Sequence, residues 1–173
     1  SALQINLRDK EYFKKLSEKK VNAIAFEFIV DEYKQLSLVR LIGEIAGNIS
    51  VLYAAELLAL SNGLMLGGIT GVRPTEVVIL GAGIVGEFAT KAAIGLGASV
   101  KVFDNSLSKL RRLHMMVDGR VPTSIIDPKE LGKCLKRADV VIGALSKISL
   151  APIVTEEMVS KMKKGSVIID VTI

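Results

Sequence analysis

The chain has 173 residues, half of them hydrophobic and 24% charged, with a net charge of +5 and an isoelectric point near 9.3. That composition supplies a full core for one ordinary domain, or for one domain and a piece of another, and it excludes a disordered chain. The single cysteine, Cys134, rules out an internal disulfide and fits a reducing compartment, and basic residues spread without interleaved aromatics read as solvated faces, not a nucleic-acid surface.

Residues 4–7 read as a short strand, and Asp9 as the N-cap of a polar helix to about Lys20. Residues 21–30 (Val-Asn-Ala-Ile-Ala-Phe-Glu-Phe-Ile-Val) read as a strand, followed by a polar connector over 31–35. From Ser37 to about Asn62 the pattern is helical, with Gly43, Ala46, Gly47, Ala54, Ala55 and Ala59 spaced through it. Small residues permit close approach, so this helix packs tightly or joins two domains. The largely apolar stretch 42–65 is broken by Glu44, Asn48, Ser50, Glu56 and Asn62, which favours a buried helix over a membrane span. Asn62-Gly63 and Gly67-Gly68 end the helix and open a glycine-rich loop.

Four β-favouring apolar residues, 77–80, then run into Gly81-Ala82-Gly83-Ile84-Val85-Gly86, a G-x-G-x-x-G turn. Gly81 allows a tight turn off the strand, Gly83 lets backbone approach a pyrophosphate, and Gly86 lets the next helix pack on the strand. The N-terminus of that helix, Ile84 to about Leu96, offers free N–H groups and a positive dipole end. Gly97 is its expected C′ residue. Residues 99–103 form the next strand, with Asp104 at its carboxyl end, placed to accept ribose hydroxyls and repel a 2′-phosphate, which favours NAD over NADP. A bare glycine pattern also marks ordinary turns; here strand, turn, helix and acid arrive in order. The alternative role for Asp104 is a helix or turn cap.

Ser106 is the expected cap of a helix to about Val117, and 120–125 a short strand. Asp127 caps a helix to about Arg137 with Pro128 in its first position. Residues 139–144 form a continuous apolar strand of the kind a parallel sheet buries on both faces. A loop over 146–151, a helix from Thr155 to about 164–165 and a strand over 166–171 complete the chain. The alternation predicts an α/β fold: a three-layer αβα, Rossmann-type, doubly wound parallel sheet in order 3-2-1-4-5. Ligand then lies across the strands' carboxyl ends, at Gly81, Asp104, 143–144 and 171–173. No metal site is assigned. His114, the only histidine, falls in the helix after Asp104 and reads as a surface or packing residue; Cys134 reads as an idle thiol. Asp170 reads as a buried carboxylate or a turn acceptor, and Glu44 as orienting a phosphate loop or pairing with a neighbour.

Several segments carry a family resemblance: 43–47 (Gly-Glu-Ile-Ala-Gly), 66–72 (Leu-Gly-Gly-Ile-Thr-Gly-Val), 77–86, 96–104, 138–144, 154–159 and 164–171. Together they resemble the alanine dehydrogenase and nicotinamide nucleotide transhydrogenase α-subunit family, most closely its alanine dehydrogenases, over about residues 23–173. The resemblance implies a substrate-domain tail over 1–35, an NAD-binding Rossmann domain over 36–173 and a long linking helix. It implies a cofactor set of Gly81, Ala82, Gly83, Ile84, Val85, Gly86, Asp104, Lys109, Ala144, Leu145, Val171 and Ile173, with Lys109 as a basic residue near the adenosine. Arg111 and Arg112 are an alternative hold for a 2′-phosphate. The implied partners are NAD(H) and, in a full-length protein, a small amino acid or 2-oxo acid, in a cytoplasmic homo-oligomer without membrane or nucleic acid.

The start at Ser1 and the stop in a strand at Ile173 read as cuts through a longer protein, with the family's catalytic groups outside them. No catalytic residue is therefore assigned, and the piece is expected to bind NAD without turning over. Three departures stand out. Asn6 falls where these dehydrogenases place a histidine, and Asn exchanges no proton near neutral pH. The loop after Ala144 is about two residues shorter than the family's, and Gly43 stands where a phosphate-touching Ser is common. Two further readings stay open: the NAD(H)-binding component of a proton-translocating transhydrogenase, with a membrane partner, and a non-catalytic nucleotide-binding module.

Overall fold

The structure, a computed structural model, describes residues 9–145 and 152–172; the expected strand over 4–7, Asn6, the loop over 146–151 and Ile173 lie outside the described residues. The chain forms two compact units, Ser1–Gly43 and Glu44–Ile173.

In the first unit, helix α1 (Lys10–Glu18) starts at Asp9, whose carboxylate accepts the Tyr12 N–H at 2.8 Å. Its Glu11–Lys15 pair, at 2.8 Å, is exposed and sets acid before base, the favoured order on a helix. The strand expected over 21–30 does not form. A single 3-10 turn, Phe26–Phe28, interrupts it, and Ile24 and Val30 lie 73% and 51% exposed. β-Branched residues favour a strand only where a neighbour completes the ladder and the face is covered. Among the described residues of this unit there is no strand to pair with. Asp31 then closes a turn, accepting the N–H groups of Tyr33 and Gln35, each at 2.9 Å, and the Ser37 hydroxyl. The hydroxyl bond first, then the Gln35 amide, holds the Asp31 carboxyl below the usual range.

Helix α2 (Ser37–Asn62) crosses the boundary between the units. In the second unit it is followed by β1 (Glu76–Leu80), α3 (Ile84–Gly95), β2 (Ser99–Phe103), α4 (Leu107–Met116), β3 (Thr123–Ser124), α5 (Pro128–Arg137), β4 (Val140–Gly143), α6 (Glu156–Ser160) and β5 (Val167–Asp170). The five strands are parallel in the order β3-β2-β1-β4-β5, as the alternation of elements predicts. Central β1 pairs Val78 with Lys101 of β2 and with Val141 of β4.

Period-two alternation divides the sheet's side chains between two cores. Val77, Ile79, Val102, Val140 and Ile142 pack with Val51, Ala54 and Leu58 of α2, Ala89 and Ala93 of α3, and Leu110 and Leu113 of α4. On the opposite face Val78, Leu80, Phe103 and Val141 pack with Leu131 and Leu135 of α5 and with Met158. This is the expected three-layer αβα arrangement. α2 is long and apolar enough to cross a membrane by length and composition, but its buried face belongs to the first of these cores.

Small residues set the closest approaches. At Gly47 a side chain would run into the Val85 carbonyl and Phe88, so α2 lies against the first turn of α3. Ser50 returns its hydroxyl to the Gly47 carbonyl at 2.7 Å and leaves no buried polar group open there. The helix from Thr155 ends at Ser160, earlier than the sequence suggests. The Ser166 amide folds back to the Lys163 carbonyl, and Gly165 takes φ +73°.

Candidate functional site

β1, β2 and β4 end together, and the glycine turn lies where the chain passes from β1 into α3. The Gly81 amide donates to the Phe103 carbonyl at 2.6 Å, and the Ala144 amide to the Leu80 carbonyl at 2.7 Å. These bonds place the turn at the point where the chain leaves β1 for β2 on one side and β4 lies on the other. Gly81 has φ +114°, and a side chain there would collide with the Ala144 carbonyl. At Gly86 a side chain would enter the Gly81 carbonyl, so this glycine is demanded by protein packing.

Gly83 differs from both. Its φ of −75° is open to any residue, and among the described residues no atom beyond its own chain neighbours lies within 4 Å of where its side chain would stand. Space is open at the one glycine of the three that the fold itself does not require. Gly83 is also the N-cap of α3 and supplies no capping side chain. The amides of Ile84, Val85 and Gly86 fall in the first turn, where no preceding helical carbonyl can accept them. Aligned peptide dipoles add partial positive charge at this point. The turn can therefore receive an anionic group of phosphate or diphosphate type.

Asp104, 5% exposed, follows β2 beside the turn. One carboxylate oxygen accepts the Ala82 N–H at 2.7 Å and the other the Ser106 N–H at 2.7 Å. The cap alternative is thus realised. Each carboxylate oxygen still has acceptor capacity, which leaves room for hydroxyl donors.

Of the sequence-assigned residues, the structure gathers Gly81, Ala82, Gly83, Ile84, Val85, Gly86, Asp104, Ala144 and Leu145 around the turn. Val171 joins the same edge through its amide, which donates to the Gly143 carbonyl at 2.9 Å. Lys109 is half-buried on α4 and its amide is capped by the Ser106 hydroxyl at 3.4 Å; among the described residues its ammonium makes no ion pair. His114 is exposed beside Gly119. Asp170 is exposed, and it accepts the Thr172 amide at 3.0 Å, the turn-acceptor role of the two expected for it. Cys134 is half-buried, its sulfur 3.9 Å from Glu130.

One residue at the site escapes sequence reasoning. Glu87, in the first turn of α3, is 2% exposed, with Lys91 at 3.1 Å and Arg112 of α4 at 3.7 Å. It engages the Arg112 guanidinium that the sequence offers to a 2′-phosphate. The available signal is an acid directly after the third glycine, where the helix dipole favours negative charge.

Comparison with known proteins gives this geometry a lineage. Residues 50–173 match the model of the family described as alanine dehydrogenase/PNT, C-terminal domain. Alanine dehydrogenase of Methanococcus maripaludis is 39% identical over 165 residues, which are 92% of this chain and 44% of that protein. A solved L-alanine dehydrogenase superposes with TM-score 0.83 at 36% identity, over 94% of this chain and 46% of that one. The transhydrogenase from Sinorhizobium meliloti shares the fold, with TM-score 0.74 at 20% identity over 92% of this chain and 49% of that one. The chain thus spans somewhat less than half the length of the dehydrogenases that it matches. With a family model covering most of its residues, the chain belongs to the alanine dehydrogenase/PNT C-terminal domain family.

Proposed function

We propose that this chain is the NAD(H)-binding unit of an oxidoreductase of the alanine dehydrogenase type, acting in a whole protein on L-alanine, with pyruvate and ammonia as products. The carrying observation is Gly83, open in front and uncapped, at the positive end of α3 with Asp104 beside it. In this reading the amides of Gly83, Ile84, Val85 and Gly86 hold the diphosphate, and Gly81 and Ala82 shape the turn. Asp104 accepts the adenosine ribose hydroxyls, Lys109 lies near the adenosine, and Ala144 and Leu145 line the ribose by backbone and apolar contact. Val171 and Ile173 border the nicotinamide. Bound there, the dinucleotide supplies a two-electron acceptor; these residues hold and orient it.

Residues 1–35 are assigned to the tail of a substrate domain and 36–173 to the NAD-binding domain. The protein is proposed to be cytoplasmic and to assemble with copies of itself through α2. The support is a row of exposed apolar side chains at helical spacing, including Ile45, Ile49, Leu52 and Leu60, the last 77% exposed.

Calorimetric titration with NADH and NADPH tests the cofactor assignment. NADH binds, and NADPH binds at least about tenfold more weakly, because the Asp104 carboxylate repels a 2′-phosphate. Equal affinity for the two, or binding of neither, overturns it. With L-alanine and NAD the 173 residues alone form no NADH at a steady rate; steady formation would place the catalytic groups inside them.

A further inference from the structure

We infer that Asp104 holds the glycine turn in its diphosphate-receiving shape, in addition to reading the sugar, so that one side chain serves both halves of the site. The inference rests on the NAD(H) reading above for its functional meaning, while its structural half stands alone. Ala82 is fully buried in the middle of the turn. Among the described residues its amide has one acceptor, the Asp104 oxygen at 2.7 Å. A buried amide that loses its acceptor costs the full desolvation of the group, so the turn has a reason to keep this bond.

Among the described residues the other anchors lie at the ends of the turn. The Gly81 amide bonds to Phe103, and the Gly83 carbonyl accepts the Glu87 amide at 2.8 Å. Between them two glycines flank Ala82, and glycine leaves the backbone its widest freedom. The other Asp104 oxygen ties the start of α4 through Ser106. The carboxylate therefore braces the turn against the connection that follows β2. Where an acid only reads the ribose, removing it relaxes preference toward a 2′-phosphate. Here removal also loosens the diphosphate turn, so both cofactors bind more weakly.

The test uses Asp104→Ser and Asp104→Asn with two probes, NADH and an NADH analogue whose adenosine ribose lacks both hydroxyls. Amide exchange at Ala82 is followed by NMR in the same proteins. In Asp104→Ser the Ala82 amide is expected to exchange at least about tenfold faster, while Ile79 and Val102 stay protected. Asp104→Ser is expected to bind the dideoxy analogue about tenfold more weakly than the parent, although that probe offers no hydroxyl to Asp104. Asp104→Asn keeps one acceptor oxygen and falls between the two. If Asp104→Ser does not fold, the same comparisons are read from Asp104→Asn. Unchanged Ala82 exchange, or equal affinity of parent and variant for the dideoxy analogue, overturns the bracing role. If the parent fails to bind NADH at all, the cofactor reading falls, and the exchange data still decide the bracing role.

Discussion

The two ends of the central strands use charge in opposite ways. At the amino ends the two carboxylates Glu76 and Asp139 close on cations. Glu76 receives Arg73 at 2.9 Å and Arg137 at 3.0 Å, while Asp139 takes the Glu76 amide at 2.8 Å and the Lys163 ammonium at 2.6 Å. At the carboxyl ends the Asp104 carboxylate meets backbone amides and, among the described residues, no cation, and the first amides of α3 have no helical carbonyl to bond. Among the described residues no buried side-chain nitrogen or oxygen lacks a partner. At this end the open hydrogen-bonding capacity lies in the first amides of α3 and in the Asp104 oxygens. A charge network that satisfies itself builds the sheet, and one that leaves donors open is ready for a ligand.

The glycines divide along the same line and give the largest expected effects. Gly86→Val drives a branched side chain into the Gly81 carbonyl and should cost about 3 kcal/mol or more, seen as a lower denaturation midpoint together with lost NADH binding. Gly83→Ala meets no atom of the described residues beyond its chain neighbours and keeps φ in an ordinary region. Its stability should change by less than about 1 kcal/mol, the difference between Gly and Ala at an N-cap, while NADH affinity falls at least about tenfold. If Gly83→Ala binds NADH like the parent, the space in front of the turn is not where the diphosphate lies.

Asp139→Ala probes the opposite end. It strands the Glu76 amide and leaves Lys163 without its buried partner, a loss of about 3 kcal/mol in chemical denaturation. NADH affinity should stay within about twofold of the parent, since the substitution lies at the far end of the strands. A large affinity loss would mean that the two ends are mechanically coupled.

Sequence reading recovers the second unit well because its signals are local. Four apolar residues before a glycine turn, Asp127 before Pro128, and the unbroken apolar run of β4 each combine propensity, capping and pattern at one place. The same logic misleads over 21–30, where a strand-like composition has no described partner strand. Glu87 is illegible for a related reason, since its meaning depends on Arg112 arriving twenty-five residues later from another helix. The bond from Asp104 to Ala82 spans twenty-two residues, and the sequence predicts the acid without predicting what it holds.

The smallest expected effect comes from a pair that crosses from sheet to helix. Lys101 of β2 meets Glu130 of α5 at 2.6 Å, with side chains 26% and 42% exposed. The hydrogen bond to Lys101 holds the Glu130 carboxyl below its ordinary range, and the bond to Glu130 raises the Lys101 ammonium above its own. A lowered carboxyl pKa stabilises the fold above the unfolded value of about 4.3, and that contribution disappears as pH falls through the folded value. A raised ammonium pKa stabilises below the unfolded value of about 10.4 and is lost as pH rises past it. The pair's contribution is therefore flat between these limits and falls away outside them. Glu130→Gln removes the acid limb, so melting temperatures between about pH 3 and 5 should decline less steeply in the variant. Near pH 7 the difference should be only about 1–2 °C, because solvent screens a half-exposed pair. A parallel decline in parent and variant would show that Lys101 and Glu130 are neighbours without thermodynamic coupling.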